Sequence, residues 1–168
     1  TVGTVEGGTS VNSIAADAIF ALDMRSNDRD ELAKLEAQIK AAATEAVAEE
    51  NARWNNGEIT VDFNLIGDRP VGATPTESSI VQVAALAFDA VGIQLRELGI
   101  SSTDSNVPMS LGIPAITIAG GGNGGGAHSP DEWFVPTNSH VGPQTAFLVT
   151  LALAGVSGVT EPLLEELD

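Results

Sequence analysis

The stretch ITIAGGGNGGGAHSPDEWFVP, from Ile116 to Pro136, is the most unusual part of this sequence. An apolar run leads into six glycines interrupted by Asn123, and one of only two histidines, His128, follows one alanine later. Glycines lack a side chain, so such a loop lets the backbone approach a neighbouring group closely. The run Gly112–Ala119 is apolar almost throughout, which is typical of a strand in a parallel sheet. The stretch therefore predicts a buried strand that delivers a glycine loop and a histidine to a functional site.

Composition excludes several classes of protein. The chain has 168 residues, enough for one ordinary domain or two small ones, and 23 acidic against 7 basic residues give a net charge of −16. Such a field repels nucleic acid and anionic membranes, so neither is an expected partner. Without cysteine there is no disulfide or thiolate metal site. No apolar stretch approaches membrane-spanning length and no signal peptide opens the chain, so the expected location is the cytoplasm.

Periodicity predicts four elements in the first part of the chain, in the order β-β-α-β. They are strands at Thr1–Val5 and Ala18–Arg25, a helix from Asp28 to about Arg53, and a strand over residues 59–66. Asp28 is the predicted N-cap of the helix, with Glu31 in the capping-box position. A chain that begins inside a strand is expected to be a fragment or a processed product.

The second strand has two different faces. Phe20, Leu22 and Met24 share the apolar face, which is predicted to point to a core. Asp23 and Arg25 share the other face, which is therefore polar and either functional or solvated.

The second part of the chain begins after a linker rich in glycine and proline, residues 67–78. Thr74 is the predicted N-cap of a helix, with Pro75 at the first position and Glu77 completing a capping box. A closing apolar helix is predicted over residues 139–156. Two units result: an antiparallel α+β unit over residues 1–71 and an α/β unit over residues 72–168.

The residues suggest three kinds of site. Gly120, Gly122 and Gly125 satisfy G-x-G-x-x-G, but no helix opens there and no acid follows for a ribose, which argues against a nucleotide site. A catalytic zinc needs about three protein ligands, and no familiar short ligand spacing occurs. The candidate ligands are His128, His140, Asp104, Asp131 and Glu132, of which His140 is expected to be a surface residue near a helix start. A triad of Ser102 or Ser105 with His128 and Asp104 is conceivable, without a nucleophile elbow to support it.

Three ordered motifs resemble the C-terminal part of the M20 metallopeptidases, the di-zinc aminoacylase, carboxypeptidase and tripeptidase-like amidohydrolases. They are GTVEGGTSVNSIAADAIFALDMRS, SSTDSNVPMSLGIPAITIAGGG and GGGAHSPDEWF, and the resemblance covers essentially the whole chain. The resemblance implies a partial ferredoxin-like lid, a dimerisation domain without its first strand and helix, over residues 1–71. Residues 72–168 would then be the C-terminal segment of a zinc-peptidase-like α/β catalytic domain.

The resemblance also implies roles for individual residues. His128 matches the last metal ligand of the family. Glu132 lies where the family motif has an acidic residue that supports the metal ligands. Asn12 and Arg25 match lid residues that contact substrate, with Arg25 holding a carboxylate, and Thr103 and Asn123 match segments that line the pocket. The other metal ligands, the general base and a lid histidine would lie upstream of this chain.

The function implied is cleavage of an amide bond in a small peptide or an N-acyl amino acid by metal-activated water. The complete enzyme would hold two zinc ions per active site, with cobalt or manganese as alternatives. The chain alone is predicted to be inactive and to bind no zinc tightly. Its expected partners are the substrate, a second copy through the lid, and the N-terminal part of the same enzyme. The alternatives are a non-catalytic dimerisation or binding module, and a stand-alone hydrolase with an unfamiliar site.

Overall fold

The computed structural model describes residues 1–54, 57–95 and 97–164, and it divides the chain into two compact units, Thr1–Val71 and Gly72–Asp168. We call them the N-terminal and C-terminal units. Asn55 and Asn56, from a predicted turn, and Arg96 lie outside the described residues. The elements are β1 Val2–Gly7, β2 Ala18–Leu22, α1 Arg29–Arg53, α2 Ser79–Ala90, α3 Asn106–Ser110, β3 Asn123–Gly125, β4 Trp133–Val135 and α4 Val141–Ala154.

The N-terminal unit starts with an antiparallel hairpin of β1 and β2, in which Val5 pairs with Phe20 and Glu6 with Ile19. The two predicted strands are confirmed, although β2 ends at Leu22 rather than at Arg25. Beyond β2, Met24 is half-buried while Asp23 and Arg25 are exposed, as the alternation predicts. Phe20 was expected to point to a core, but 55% of its surface is exposed, because the described part of this unit contains no fully buried residue against which it could pack.

Helix α1 confirms the predicted start at Asp28 and the predicted end at Arg53. The Asp28 carboxylate accepts hydrogen bonds from the backbone N–H groups of Asp30 at 2.8 Å and Glu31 at 3.0 Å, which satisfies two otherwise unpaired donors. The second hydrogen bond of the predicted capping box, in which the Glu31 side chain would accept from the backbone N–H of Asp28, is wrong. The N–H of Asp28 donates to Ser26 Oγ at 3.1 Å, and the Glu31 carboxylate pairs instead with Lys34.

The segment after α1 was predicted as a strand, but the described residues between α1 and α2 form none. The Asn51 side chain takes both backbone groups of Ile59, with Nδ2 donating to its carbonyl at 2.9 Å and Oδ1 accepting from its N–H at 2.8 Å. Further along, the Lys40 ammonium lies 5.9 Å from the centre of the Phe63 ring. The segment is therefore held to α1 by side chains, and a β-ladder requires a backbone partner that the described residues do not supply.

The C-terminal unit is built on α2 packed against α4. Its small core consists of buried apolar side chains from both helices, namely Val83, Ala84, Ala87, Val149 and Leu153. The partly buried side chains of Ile80, Ile116 and Ala152 pack against this core. Thr145 is fully buried, and its hydroxyl donates to the carbonyl of Val141 at 2.9 Å. The predicted closing helix is confirmed as α4.

The predicted start of α2 is wrong, since the helix begins after Ser78. The hydroxyl of Thr74 is used elsewhere: it donates to the carbonyl of Ala115 at 2.6 Å and accepts from its N–H at 3.0 Å. Residues 112–119, predicted as a parallel strand, form no strand within the described chain. Both sheets that the structure describes are two-stranded and antiparallel, so the fold is mixed α/β without the expected parallel sheet. None of the described helices is both long and apolar enough to cross a membrane.

Candidate functional site

The glycine loop forms a hairpin that sequence patterns did not predict. Strand β3 consists of Asn123–Gly125 and pairs antiparallel with β4, in the register Asn123 with Val135 and Gly125 with Trp133. A Cβ atom on Gly122 would lie 2.7 Å from the Phe134 ring, and one on Gly125 would lie 2.9 Å from the Trp133 indole nitrogen. The two aromatic rings cover the backbone at these positions, so a side chain there would have to displace a ring.

The first glycines of the loop lie against the first turn of α4. A Cβ on Gly142, which is buried, would lie 2.1 Å from the carbonyl carbon of Gly120. A Cβ on Gly121 would lie 2.4 Å from the carbonyl oxygen of Ser139, and Gly121 also has a positive φ of 85°. The backbone of the glycine loop therefore packs directly on the backbone of α4, with no side chain between them, and this contact fixes the β3–β4 hairpin to the helix.

His128 lies in the turn between β3 and β4 with its backbone in the left-handed region, at φ 64°. Such a conformation is uncommon for a residue other than glycine. Ser129 holds the turn: its hydroxyl and its N–H both donate to the carbonyl of Gly126, at 2.7 and 3.1 Å. The carbonyl of Ser129 accepts from the N–H of Glu132 at 3.1 Å. The turn thus places the imidazole of His128 at an exposed position on a defined backbone.

The residues present do not by themselves fit a di-zinc site. Within residues 1–54, 57–95 and 97–164, no three His, Cys, Asp or Glu side chains come close enough to hold a metal ion. His128, Asp131 and Glu132 share one turn and are all exposed. The second histidine, His140, is an exposed residue at the N-terminus of α4, as predicted, and makes no side-chain cap bond. His128 could act only as one ligand of a site completed by other residues.

Arg25 has a carboxylate partner. Its Nε donates to Asp23 Oδ1 at 2.8 Å and its Nη2 donates to Asp23 Oδ2 at 2.9 Å. The hydrogen bond from Arg25 and its positive charge lower the pKa of the Asp23 carboxyl, and the same bond raises the pKa of Arg25. The other lid candidate, Asn12, is exposed and accepts a hydrogen bond from Ser10 Oγ at 2.6 Å.

Thr103 belongs to a cluster of three hydroxyl groups. Thr103 Oγ1 lies 2.6 Å from Thr117 Oγ1, and Ser105 Oγ lies 2.7 Å from the same atom. The backbone N–H of Thr103 also donates to Asn106 Oδ1 at 2.8 Å. The Ser105 hydroxyl is therefore paired with a threonine, which weakens the serine triad hypothesis. Sequence reasoning missed Thr117, although its place in an otherwise apolar run was a signal.

The predicted site residues fall into two groups. Asn12 and Arg25 belong to the N-terminal unit, whereas Thr103, Asn123, His128 and Glu132 belong to the C-terminal unit. In the second group, Asn123 and His128 share the β3–β4 hairpin. Each group is held by local turns and short hydrogen bonds of its own unit.

Part of the chain matches a known family. Residues 1–51, which comprise β1, β2 and most of α1, match the family model of a peptidase dimerisation domain of the M20 type. A search of curated proteins found no match. The match supports a member of the M20 peptidases and a domain that mediates dimerisation, and it lies entirely within the N-terminal unit.

Proposed function

We propose that this chain is the C-terminal portion of an M20-type metallopeptidase or amidohydrolase. In this proposal residues 1–71 are the larger part of a dimerisation lid, and residues 72–168 are the last segment of the catalytic domain. The observation that carries it is the match of residues 1–51 to a peptidase dimerisation domain. The order of the motifs around Arg25, Thr103 and His128 supports the extension to the rest of the chain.

Exposed apolar side chains of the N-terminal unit support its role in association. Val5 and Phe20 are cross-strand neighbours in the β1–β2 hairpin and are 71% and 55% exposed. Ile19, on the other face, is 61% exposed. Large apolar side chains exposed on both faces of a hairpin are surfaces that a partner can cover. The proposed occupant is a second copy of the chain.

The chain is expected to form a dimer in solution at micromolar concentration, as measured by sedimentation equilibrium. Phe20→Ser removes an exposed aromatic ring from the proposed interface and should raise the dimer Kd by at least about tenfold. Phe147→Ser is the matched control, since Phe147 is 63% exposed but lies in the C-terminal unit. A monodisperse monomer for the unmodified chain, with no second polypeptide bound, would contradict the proposal.

The proposed reaction is hydrolysis of an amide bond in a small peptide or an N-acyl amino acid. Two zinc ions, or cobalt or manganese in their place, would supply activated water in the complete enzyme. This chain would contribute His128 as one metal ligand, supported by Glu132. Asn12, Arg25, Thr103 and Asn123 would contact the substrate. The remaining ligands and the general base would come from residues outside these 168.

Arg25→Lys tests the substrate role of Arg25. A guanidinium binds a carboxylate through two parallel hydrogen bonds, whereas an ammonium acts as a point charge. In the complete enzyme the substitution should lower kcat/KM for carboxylate-bearing substrates by at least about tenfold, with little change in the midpoint of unfolding. A loss of stability with kcat/KM retained would instead make Arg25 a structural residue.

A second candidate is a non-catalytic dimerisation or binding module. The observation that favours it is that the family match covers only a dimerisation domain, residues 1–51. The two candidates differ in the longer gene product: a peptidase would bind metal stoichiometrically and hydrolyse N-acyl amino acids, whereas a binding module would dimerise without either property.

A further inference from the structure

Asp23 and Arg25 follow β2 directly and lie two residues apart, so they share one side of the extended backbone. Both side chains are exposed, Arg25 by 63% and Asp23 by 54%. An exposed ion pair of this kind adds little to stability. Its two-bond geometry, however, controls which part of the guanidinium remains accessible.

A guanidinium carries five N–H groups, on Nε, Nη1 and Nη2. Asp23 accepts one from Nε and one from Nη2. Three N–H groups remain, two on Nη1 and one on Nη2, and of these one on Nη1 and the one on Nη2 point outward in parallel as the outer edge of the guanidinium. Among the described residues no other group bonds to Arg25. The outer edge has the two parallel donors that a second carboxylate requires.

We propose that Asp23 is a positioning residue, which holds the Arg25 guanidinium so that its outer Nη1–Nη2 edge receives a substrate carboxylate in two hydrogen bonds. The inference rests on the proposed function, in which Arg25 binds that carboxylate, and adds the residue that orients it. A free arginine side chain has many rotamers and loses that freedom when it binds a ligand. The bonds to Asp23 restrict the side chain before the ligand arrives.

The negative charge of Asp23 acts in the opposite direction, because it repels an incoming carboxylate. Both partners are exposed, so the high dielectric constant of the surrounding water weakens this repulsion. The orienting bonds are short-range and are not screened in the same way. We expect positioning to outweigh this weakened repulsion, and the sign of the effect of Asp23 substitutions on carboxylate affinity tests that expectation.

The test is a titration of the 168-residue chain with acetate, monitored by ¹⁵N NMR of the arginine Nε–Hε resonances, with acetamide as the uncharged probe. Arg25→Lys identifies the Arg25 resonance. Acetate, and not acetamide, should shift that resonance saturably, and Asp23→Asn should raise the acetate Kd by at least about fivefold. Asp23→Glu, which keeps the carboxylate, should stay within about twofold of the unmodified chain.

Glu50→Gln is the matched control. It removes the same charge from another exposed pair, Glu50 with Arg53 at 3.1 Å, and should leave acetate binding at Arg25 unchanged. An unchanged or tighter acetate Kd in Asp23→Asn, or no acetate binding at Arg25 at all, would overturn the inference.

Kinetics of the complete enzyme separate this inference from the proposed function. On an N-acyl amino acid, Asp23→Asn should raise KM while kcat changes little. If Arg25→Lys lowers kcat/KM and Asp23→Asn does not, the positioning role alone is wrong. If Arg25→Lys has no effect either, the proposed carboxylate-binding role of Arg25 is wrong.

Discussion

Gly142→Ala should destabilise the C-terminal unit strongly. Its Cβ would lie 2.1 Å from the carbonyl carbon and 2.3 Å from the carbonyl oxygen of Gly120, so the glycine loop or α4 would have to move. Backbone atoms cannot rotate away as a flexible side chain can. We expect a loss of about 3 kcal/mol or more in the free energy of unfolding, at the upper end of overpacking effects. The midpoint of thermal unfolding, followed by circular dichroism, should fall by about 12 °C or more.

The sign of this effect is informative because Gly142 lies inside a helix. In an open helical position, alanine stabilises by about 1 kcal/mol relative to glycine. A stabilised Gly142→Ala variant would therefore show that the loop does not pack on α4 as described. Gly120→Ala is the control in the same contact, because its Cβ would meet nothing within 4 Å and its φ is not positive. It should leave the midpoint nearly unchanged.

Loss of His128 should have the largest effect on activity. In the complete enzyme we expect His128→Asn to lower kcat/KM by about 100-fold or more and to reduce the zinc retained per chain. Asparagine is a suitable replacement because it tolerates the left-handed conformation that His128 adopts, at φ 64°, so the turn should be retained. Zinc content after dialysis gives a result that does not depend on the choice of substrate.

His140→Asn is the matched control for this prediction. His140 is the only other histidine, is exposed, and makes no side-chain bond at the start of α4. Its replacement should change neither zinc content nor kcat/KM. Equal losses in both variants, or none in either, would remove His128 from the proposed metal site.

The elements that the sequence predicted well carry their signals locally. The start of α1 depends on Asp28, whose carboxylate accepts from two neighbouring N–H groups, and α4 is apolar along most of its length. Elements that depend on distant partners were not predicted. Thr74 was expected to cap a helix, but it bonds Ala115, which lies 41 residues further along. The alternating apolar pattern of residues 59–66 does not by itself form a strand, because a strand requires a backbone partner to pair with.

The candidate site shows the same division between local and distant information. The Asp23–Arg25 pair could be expected from spacing alone, because residues two apart in an extended chain share a side. The β3–β4 hairpin could not, because its glycines carry no hydrophobic pattern, and the rings of Trp133 and Phe134 explain them only in the folded chain. The link between Thr103 and Thr117 also depends on packing.

We propose that this chain carries one ligand, His128, of a metal site that residues outside it complete. The most direct measurement is the zinc content of the purified 168-residue chain after saturation with zinc and extensive dialysis. One histidine ligand is too few for tight binding, because a catalytic zinc site uses about three protein ligands. We therefore expect far less than one zinc ion per chain. Retention of one or more zinc ions per chain would contradict it.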